Sequence, residues 1–218
     1  MELRKFLATT ICEYLNEQQN IENNLNDNFW KWFGNSMMVK PDGTPIVFYH
    51  FSDESFNSFE RKSGINTHLF STEVVNRKAF FFTTDINFAS QYGSKKYEVY
   101  LKINKIFDFN KHYYYKDISP TTSVFFDEII DNIEDNGIDM TMEYQSYIGE
   151  LKIKPEHNWK FFDGEIGKLF IDYLKKNGYD GVYFIEEGSP IYAVFNPNQI
   201  KSVENDGTWD INDDNIYS

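Results

Sequence analysis

Ile46-Val47-Phe48-Tyr49-His50 is a run of β-branched and aromatic residues closed by an imidazole, with the turn Pro41-Asp42-Gly43-Thr44-Pro45 just before it. Proline, aspartate and glycine supply that turn's backbone angles, and the apolar run that follows predicts a buried strand. Ala79 to Thr83 predicts a second strand. Between the two lies a polar segment, Ser52 to Lys78, with no clear period; a loop of that length is functional or disordered as a rule. Asp85 to Tyr92 has a helix start, with Phe88, Ala89 and Tyr92 on one face, and Tyr97 to Ile103 alternates as a strand does.

Working outward, Leu3, Phe6, Leu7, Ile11, Tyr14 and Leu15 recur at helical spacing, so residues 2–18 predict an amphipathic helix. The Asn/Gln-rich stretch Gln18 to Asn28 follows as a loop or helix break, and the aromatic cluster from Phe29 ends at the helix-stop glycine Gly34. Helical patterns recur at 123–135 and 164–176, the second ending at Asn177-Gly178. Gly181 to Ile185 and Ile191 to Phe195 predict two strands joined by the turn Glu186-Glu187-Gly188-Ser189-Pro190. The chain is therefore expected to be α+β, without internal repeats.

A length of 218 residues suits one globular domain with its own core. Aromatic residues make up 18% of it, which excludes a disordered acidic tail protein. One cysteine, Cys12, excludes an intramolecular disulfide and a cysteine-rich metal cluster, and fits a reducing compartment. No apolar run reaches the ~18 residues of a membrane span, and the N-terminal apolar stretch is too short for a signal peptide. The net charge of −13 at first speaks against a nucleic-acid binder. However, nine acids and no base fall in residues 117–151, and five more acids follow Lys201. Without these fourteen the chain carries 20 acids against 21 bases, and residues 50–116 hold ten bases and seven acids. The acidity is peripheral. Such charge runs are either solvated surface or a face for a protein partner or a nucleic-acid mimic.

The four histidines (His50, His68, His112, His157) lack zinc-ligand spacing, no phosphate-binding glycine loop is present, and Cys12 on an amphipathic helix suits a core position. No metal is expected. By elimination, His50 at a strand end is the polar group best placed for chemistry, and its alternative is a structural histidine.

Four blocks then fall in order. They are Trp32-Phe33-Gly34-Asn35-Ser36 with Pro41 to Pro45 and Val47 to His50; Ala79 to Asp85 through Ala89-Ser90-Gln91-Tyr92; Gly178-Tyr179-Asp180-Gly181-Val182; and Tyr192 to Ser202. Together they resemble the ADP-ribosyltransferase domain of phage and mobile-element polyvalent proteins, in the diphtheria-toxin and poly(ADP-ribose)-polymerase branch. The resemblance implies a split β-sandwich with peripheral helices and an N-terminal helix, holding NAD⁺ as substrate in a cleft. It divides the chain into a helical appendage (1–28), the domain (29–205) and an acidic tail (206–218).

By the same resemblance, His50 matches the histidine that contacts the adenosine ribose, and the backbone of Phe51, where glycine is usual, pairs with the nicotinamide amide. Tyr92 matches the aromatic that stacks on nicotinamide, a cationic ring that an aromatic face attracts. Ala89 lies in the same cofactor-binding block. Phe81 stands where the family has tyrosine, and Ile191 where it usually has the glutamate that stabilises an oxocarbenium-like state. Some mono-ADP-ribosyltransferases of this branch also carry isoleucine there, so Ile191 argues against chain elongation more than against single transfer. Glu186 and Glu187 are either exposed turn residues or the substitute carboxylate. Of the paired bases Arg61-Lys62, Arg77-Lys78 and Lys95-Lys96, Arg61 and Arg77 are the candidates for the pyrophosphate or a polyanionic acceptor.

The implied activity is transfer of ADP-ribose from NAD⁺ to a protein, RNA or DNA acceptor, by a phage or bacterial effector or toxin in the bacterial cytoplasm. The alternative is an inactive NAD⁺-binding or protein-interaction module of the same fold. The acidic blocks and the N-terminal helix are the surfaces expected to meet a protein partner; no membrane is expected.

Overall fold

The computed structural model describes residues 25–61, 63–66, 73–109 and 162–218. The helices expected at 2–18 and 123–135, the acidic block 117–151, and Cys12, Lys62, His68, His112 and His157 lie outside the described residues. The chain is mixed α+β.

Nine strands are described: β1 (Phe48–Ser52), β2 (Ser63–Asn66), β3 (Glu73–Asn76), β4 (Phe80–Thr83), β5 (Lys95–Leu101), β6 (Ile106–Asp108), β7 (Gly181–Glu186), β8 (Ser189–Val194) and β9 (Ile200–Ser202). Seven of them form one sheet in the order β6-β7-β8-β4-β1-β5-β9, and β2 and β3 form a separate two-stranded ribbon. Within the sheet β6 runs parallel to β7, and every other neighbouring pair is antiparallel. The helices among the described residues are α1 (Asp27–Phe33), α2 (Ile86–Ala89) continued by a 3₁₀ turn (Ser90–Tyr92), and α3 (Gly164–Lys176), with a further 3₁₀ turn at Pro197–Gln199.

The seven strands form one hydrogen-bonded ladder. Its seam is β1–β4, joined at the single register pair Tyr49↔Thr83, whereas β1 pairs with β5 along its whole length from Phe48↔Val99 to Ser52↔Lys95.

Strand alternation explains how one sheet carries two cores. On β4, Phe80 and Phe82 enter one cluster, while Phe81 packs against the other. On β8, Ile191 and Ala193 join the second and Val194 the first. Over β7 and β8, α3 buries Phe170, Ile171 and Leu174 against Val182, Phe184 and Ala193. At the other end α1 buries Phe29, Trp32 and Phe33 with Phe48, Val99, Leu101 and Ile200. Asn26 caps α1, accepting from the N–H groups of Asn28 and Phe29, and Gly34 ends it at φ 56°.

Several expected boundaries move. The first strand runs to Ser52 instead of closing at His50, because it pairs with β5 as far as Lys95. The strand expected from Tyr97 begins two residues earlier, with Lys95 donating to Ser55 Oγ at 2.8 Å and Lys96 paired to Glu98 at 3.0 Å. The polar segment Ser52 to Lys78 contains β2 and β3, whose four-residue strands are too short and mixed to show a period. The expected five-residue turn 186–190 is a two-residue turn: Glu187 (φ 49°) and Gly188 (φ 85°) both sit at positive φ, the requirement of a type I′ hairpin, so Glu186, Ser189 and Pro190 are strand residues.

The acidic stretch 206–218 is also not a tail hanging off the domain. Trp209 and Ile216 are buried in the α1-side core. Lys201 is fully buried (0% exposed), and its ammonium donates to the carbonyls of Asp213, Asn215 and Ser218 at 2.7–2.9 Å. Burial lowers its pKa, and the charges of Asp213, Asp210, Asp214 and Asp206 oppose that. Four of the five acids after Lys201 thus serve the base that precedes them. Among the described residues no helix is long and apolar enough to cross a membrane.

Candidate active site

At the β1–β4 seam a side chain takes over where the ladder stops. His50 Nδ1 lies 2.9 Å from the carbonyl oxygen of Phe81. A carbonyl only accepts, so Nδ1 carries the proton, and Nε2 is the acceptor atom of the neutral ring. The imidazole is packed by Phe59 at 5.0 Å and Phe82 at 5.6 Å, on the face opposite the Phe81 ring. His50 therefore reaches Phe81 through its backbone. Phe51, the next residue, is half-buried and pairs with Lys96.

On the other face Phe81 is half-buried between Phe162 (5.3 Å) and Phe184 (6.3 Å), with the Arg77 guanidinium 5.1 Å above its ring. Arg77 is oriented by Asp163, its Nε standing 3.3 Å from the carboxylate, and the two residues also form a β-bridge. Strand alternation along β7 puts Glu186 on the same face as Val182 and Phe184, at the open end of the α3-side core. Burial and then the Glu187 charge push the Glu186 carboxyl up to about 7, with Arg77 acting against them. Tyr92 is 56% exposed and its ring lies 5.5 Å from Phe88. Partial burial of its hydroxyl, then Glu186 and Glu187, raise that group to about 12, while Arg77 lowers it. Tyr92, Glu186, Glu187 and Arg77 thus lie within one another's electrostatic reach, with Arg77 over the Phe81 ring.

The Tyr92 segment is clamped on both flanks. A Cβ on Gly93 would stand 2.4 Å from the Ser52 carbonyl carbon, so only glycine lets the strap lie against β1. The Asp53 carboxylate accepts the Ser94 N–H at 3.0 Å. On the other side Asp85 caps α2, accepting from Asn87 N and Phe88 N at 3.0 and 3.2 Å, and its second oxygen accepts the Ser189 hydroxyl at 2.8 Å. The Ser189 bond, then the Phe88 N–H, hold the Asp85 carboxyl below the usual carboxylate range.

Three expected residues stand apart from this group. Ile191 is 3% exposed and belongs to the α3-side core. Ala89 is buried in α2, donating to the Asp85 carbonyl. Arg61 donates to the Phe195 carbonyl at 2.7 Å, in the field of Lys175. Sequence reasoning passed over Asp85, Ser189 and Asp163. Asp85 had a signal, an aspartate directly before an apolar helical run; Ser189 and Asp163 act through contacts distant in sequence and had none. Among the described residues, no group of three or more His, Cys, Asp or Glu side chains could hold a metal ion.

No curated protein matches this chain. A solved structure titled "Crystal structure of an anti-CRISPR protein" is 13% identical to it, covers 71% of this chain and 90% of its own, and superposes with a TM-score of 0.39, too low to carry an argument. A family model described as "ADP-Ribosyltransferase in polyvalent proteins" matches residues 40–209. That span holds the seam at His50, the aromatic floor at Phe81, the strap at Tyr92 and the carboxylates of the β7–β8 turn, and by it the chain belongs to the ADP-ribosyltransferases of polyvalent proteins.

Proposed function

We propose that the protein is a mono-ADP-ribosyltransferase that cleaves NAD⁺ at the nicotinamide–ribose bond and passes ADP-ribose to a macromolecular acceptor, protein or nucleic acid. The observation that supports this reading is the family match over residues 40–209, within which the Arg77 guanidinium stands 5.1 Å over the Phe81 ring and Tyr92 is exposed. The residues suit the substrate. Tyr92 and Phe81 offer aromatic surface to the cationic nicotinamide ring, worth up to ~2 kcal/mol when desolvated. Arg77 supplies a fixed cation for a phosphate oxygen. His50, with Nδ1 bonded to the Phe81 carbonyl, is fixed at the β1–β4 seam as the histidine proposed to meet the ribose.

The chemistry follows from where charge develops. As the C1′–N bond breaks, its electron pair leaves with nicotinamide and the ribose becomes oxocarbenium-like. A carboxylate beside it stabilises that cation, and an acceptor nucleophile then bonds to C1′ and loses its proton. Ile191 cannot supply the carboxylate, and Glu186 supplies it instead. Because Glu186 sits near 7, turnover rises as pH increases through that value and the carboxyl ionises. The setting we infer is phage–bacterium conflict, with the protein acting as an effector or toxin in the bacterial cytoplasm.

A second reading, an inactive NAD⁺-binding or interaction module, draws on the burial of Ile191 in the apolar core, where the family usually places its acid. Incubation with NAD⁺ labelled in both halves separates the two. The transferase releases nicotinamide and labels an acceptor, with both activities lowered in His50→Ala and Tyr92→Ala. The inactive module binds NAD⁺ without release. Protease or nuclease treatment of a labelled lysate then identifies the acceptor class.

A further inference from the structure

We propose that Asp85 and Ser189 form a positioning pair: a single carboxylate caps the helix that leads to Tyr92 and holds the β8 end of the turn that carries Glu186, and so sets the distance between those two side chains. This inference rests on the transferase reading of the same site. Its basis is a division of labour between two oxygens. Asp85 Oδ1 takes the N–H groups of Asn87 and Phe88, and Oδ2 takes the Ser189 hydroxyl at 2.8 Å.

Capping alone needs one acceptor oxygen. The second is spent on a residue 104 positions away, and Ser189 is the direct register partner of Glu186. The other end of the carboxylate's anchorage is equally fixed, because the Asp85 N–H donates to Thr83 Oγ1 at 3.0 Å, and Thr83 pairs with both Tyr49 and Ile191. Asp53 and Gly93 already fix the far side of Tyr92 to β1. The Asp85–Ser189 bond closes the remaining side. Neither residue touches the reacting atoms; both act by geometry, to which bond-cleaving steps are steeply sensitive.

The test is Ser189→Ala, read in two ways. NMR titration of the Glu186 carboxyl reads how closely the hairpin is held, through the burial of that carboxyl, without catalysis. In Ser189→Ala its midpoint falls from near 7 toward the ordinary carboxylate range as the hairpin loosens and water enters, and Ser189→Thr restores it. Steady-state nicotinamide release reads the consequence: kcat falls about tenfold, more than the change in KM. Asp85→Ser keeps a capping oxygen, is too short to hold Ser189, and gives the same two effects should Ser189→Ala fail to fold. An unchanged Glu186 titration in a folded Ser189→Ala or Asp85→Ser protein overturns the proposal. If the wild type releases no nicotinamide, the transferase reading fails, and the titration still decides whether the pair holds the hairpin in place.

Discussion

In the proposed reaction Glu186 supplies the carboxylate, and there it makes opposite demands on stability and activity. Its carboxyl binds a proton more tightly in the folded chain than in the unfolded one, so between about 4.5 and 7 folding takes up protons and stability falls as pH rises. Glu186→Gln is therefore expected to raise the melting temperature at pH 8 and leave it unchanged at pH 4. The same variant should cut nicotinamide release by roughly 10²–10³-fold, the usual cost of removing one preorganised electrostatic contact, and flatten the pH profile near 7. Tyr92→Ala should weaken NAD⁺ binding by up to about thirtyfold, following ~2 kcal/mol of cation–aromatic attraction, while Tyr92→Phe stays near wild type in calorimetry. At this scale the sequence supplied candidates and left their surroundings open. His50, Phe81 and Tyr92 stood out through the family blocks. The role proposed for Glu186, by contrast, depends on a two-residue turn that places it in a strand, on the Phe184 face, where a five-residue turn would have left it in solvent.

Among the elements, the hairpin and the strap frame the site. Gly188 has open space around its Cβ position but sits at φ 85°, so Gly188→Ala is a pure backbone substitution, expected to cost about 1–2 kcal/mol in chemical denaturation. Gly93→Ala fails for another reason. Its Cβ would overlap the backbone of Ser52, so the strap must lift from β1, and both melting temperature and NAD⁺ affinity are expected to drop. Strands of six or seven residues, such as β5 and β7, were legible from alternation and apolar content. The three-residue β6 and β9 were not, since so short a strand is specified by its neighbours in the sheet. The same holds for β2 and β3, hidden in a polar stretch that reads as loop.

For the molecule as a whole, the net charge of −13 divides into parts with different work. The acids after Lys201 surround a buried ammonium, and replacing it leaves three carbonyls without their donor. Lys201→Met should destabilise the fold by about 1–3 kcal/mol, the cost of leaving buried carbonyls without a donor, measurable in urea. Asp206 and Asp213 are held below the usual carboxylate range by hydrogen bonds, chiefly from Thr208 to Asp206 and from Asn215 to Asp213. Their contribution is present at neutral pH and lost as pH falls below about 4 through their folded values, so the 206–218 segment should be an early casualty of acid. Composition could flag this acidic run but not the fold-back, which depends on Trp209 and Ile216 reaching the α1-side core. The fold class and the order of the family blocks were legible across the chain; the continuity of the sheet through its β1–β4 seam was not, because it hangs on one register pair and one imidazole. The most direct measurement is nicotinamide release from labelled NAD⁺ by the purified chain, with and without a cell lysate as acceptor. We predict release by the wild type, strongly lowered in Glu186→Gln and Tyr92→Ala; NAD⁺ binding without release under any acceptor would contradict the account.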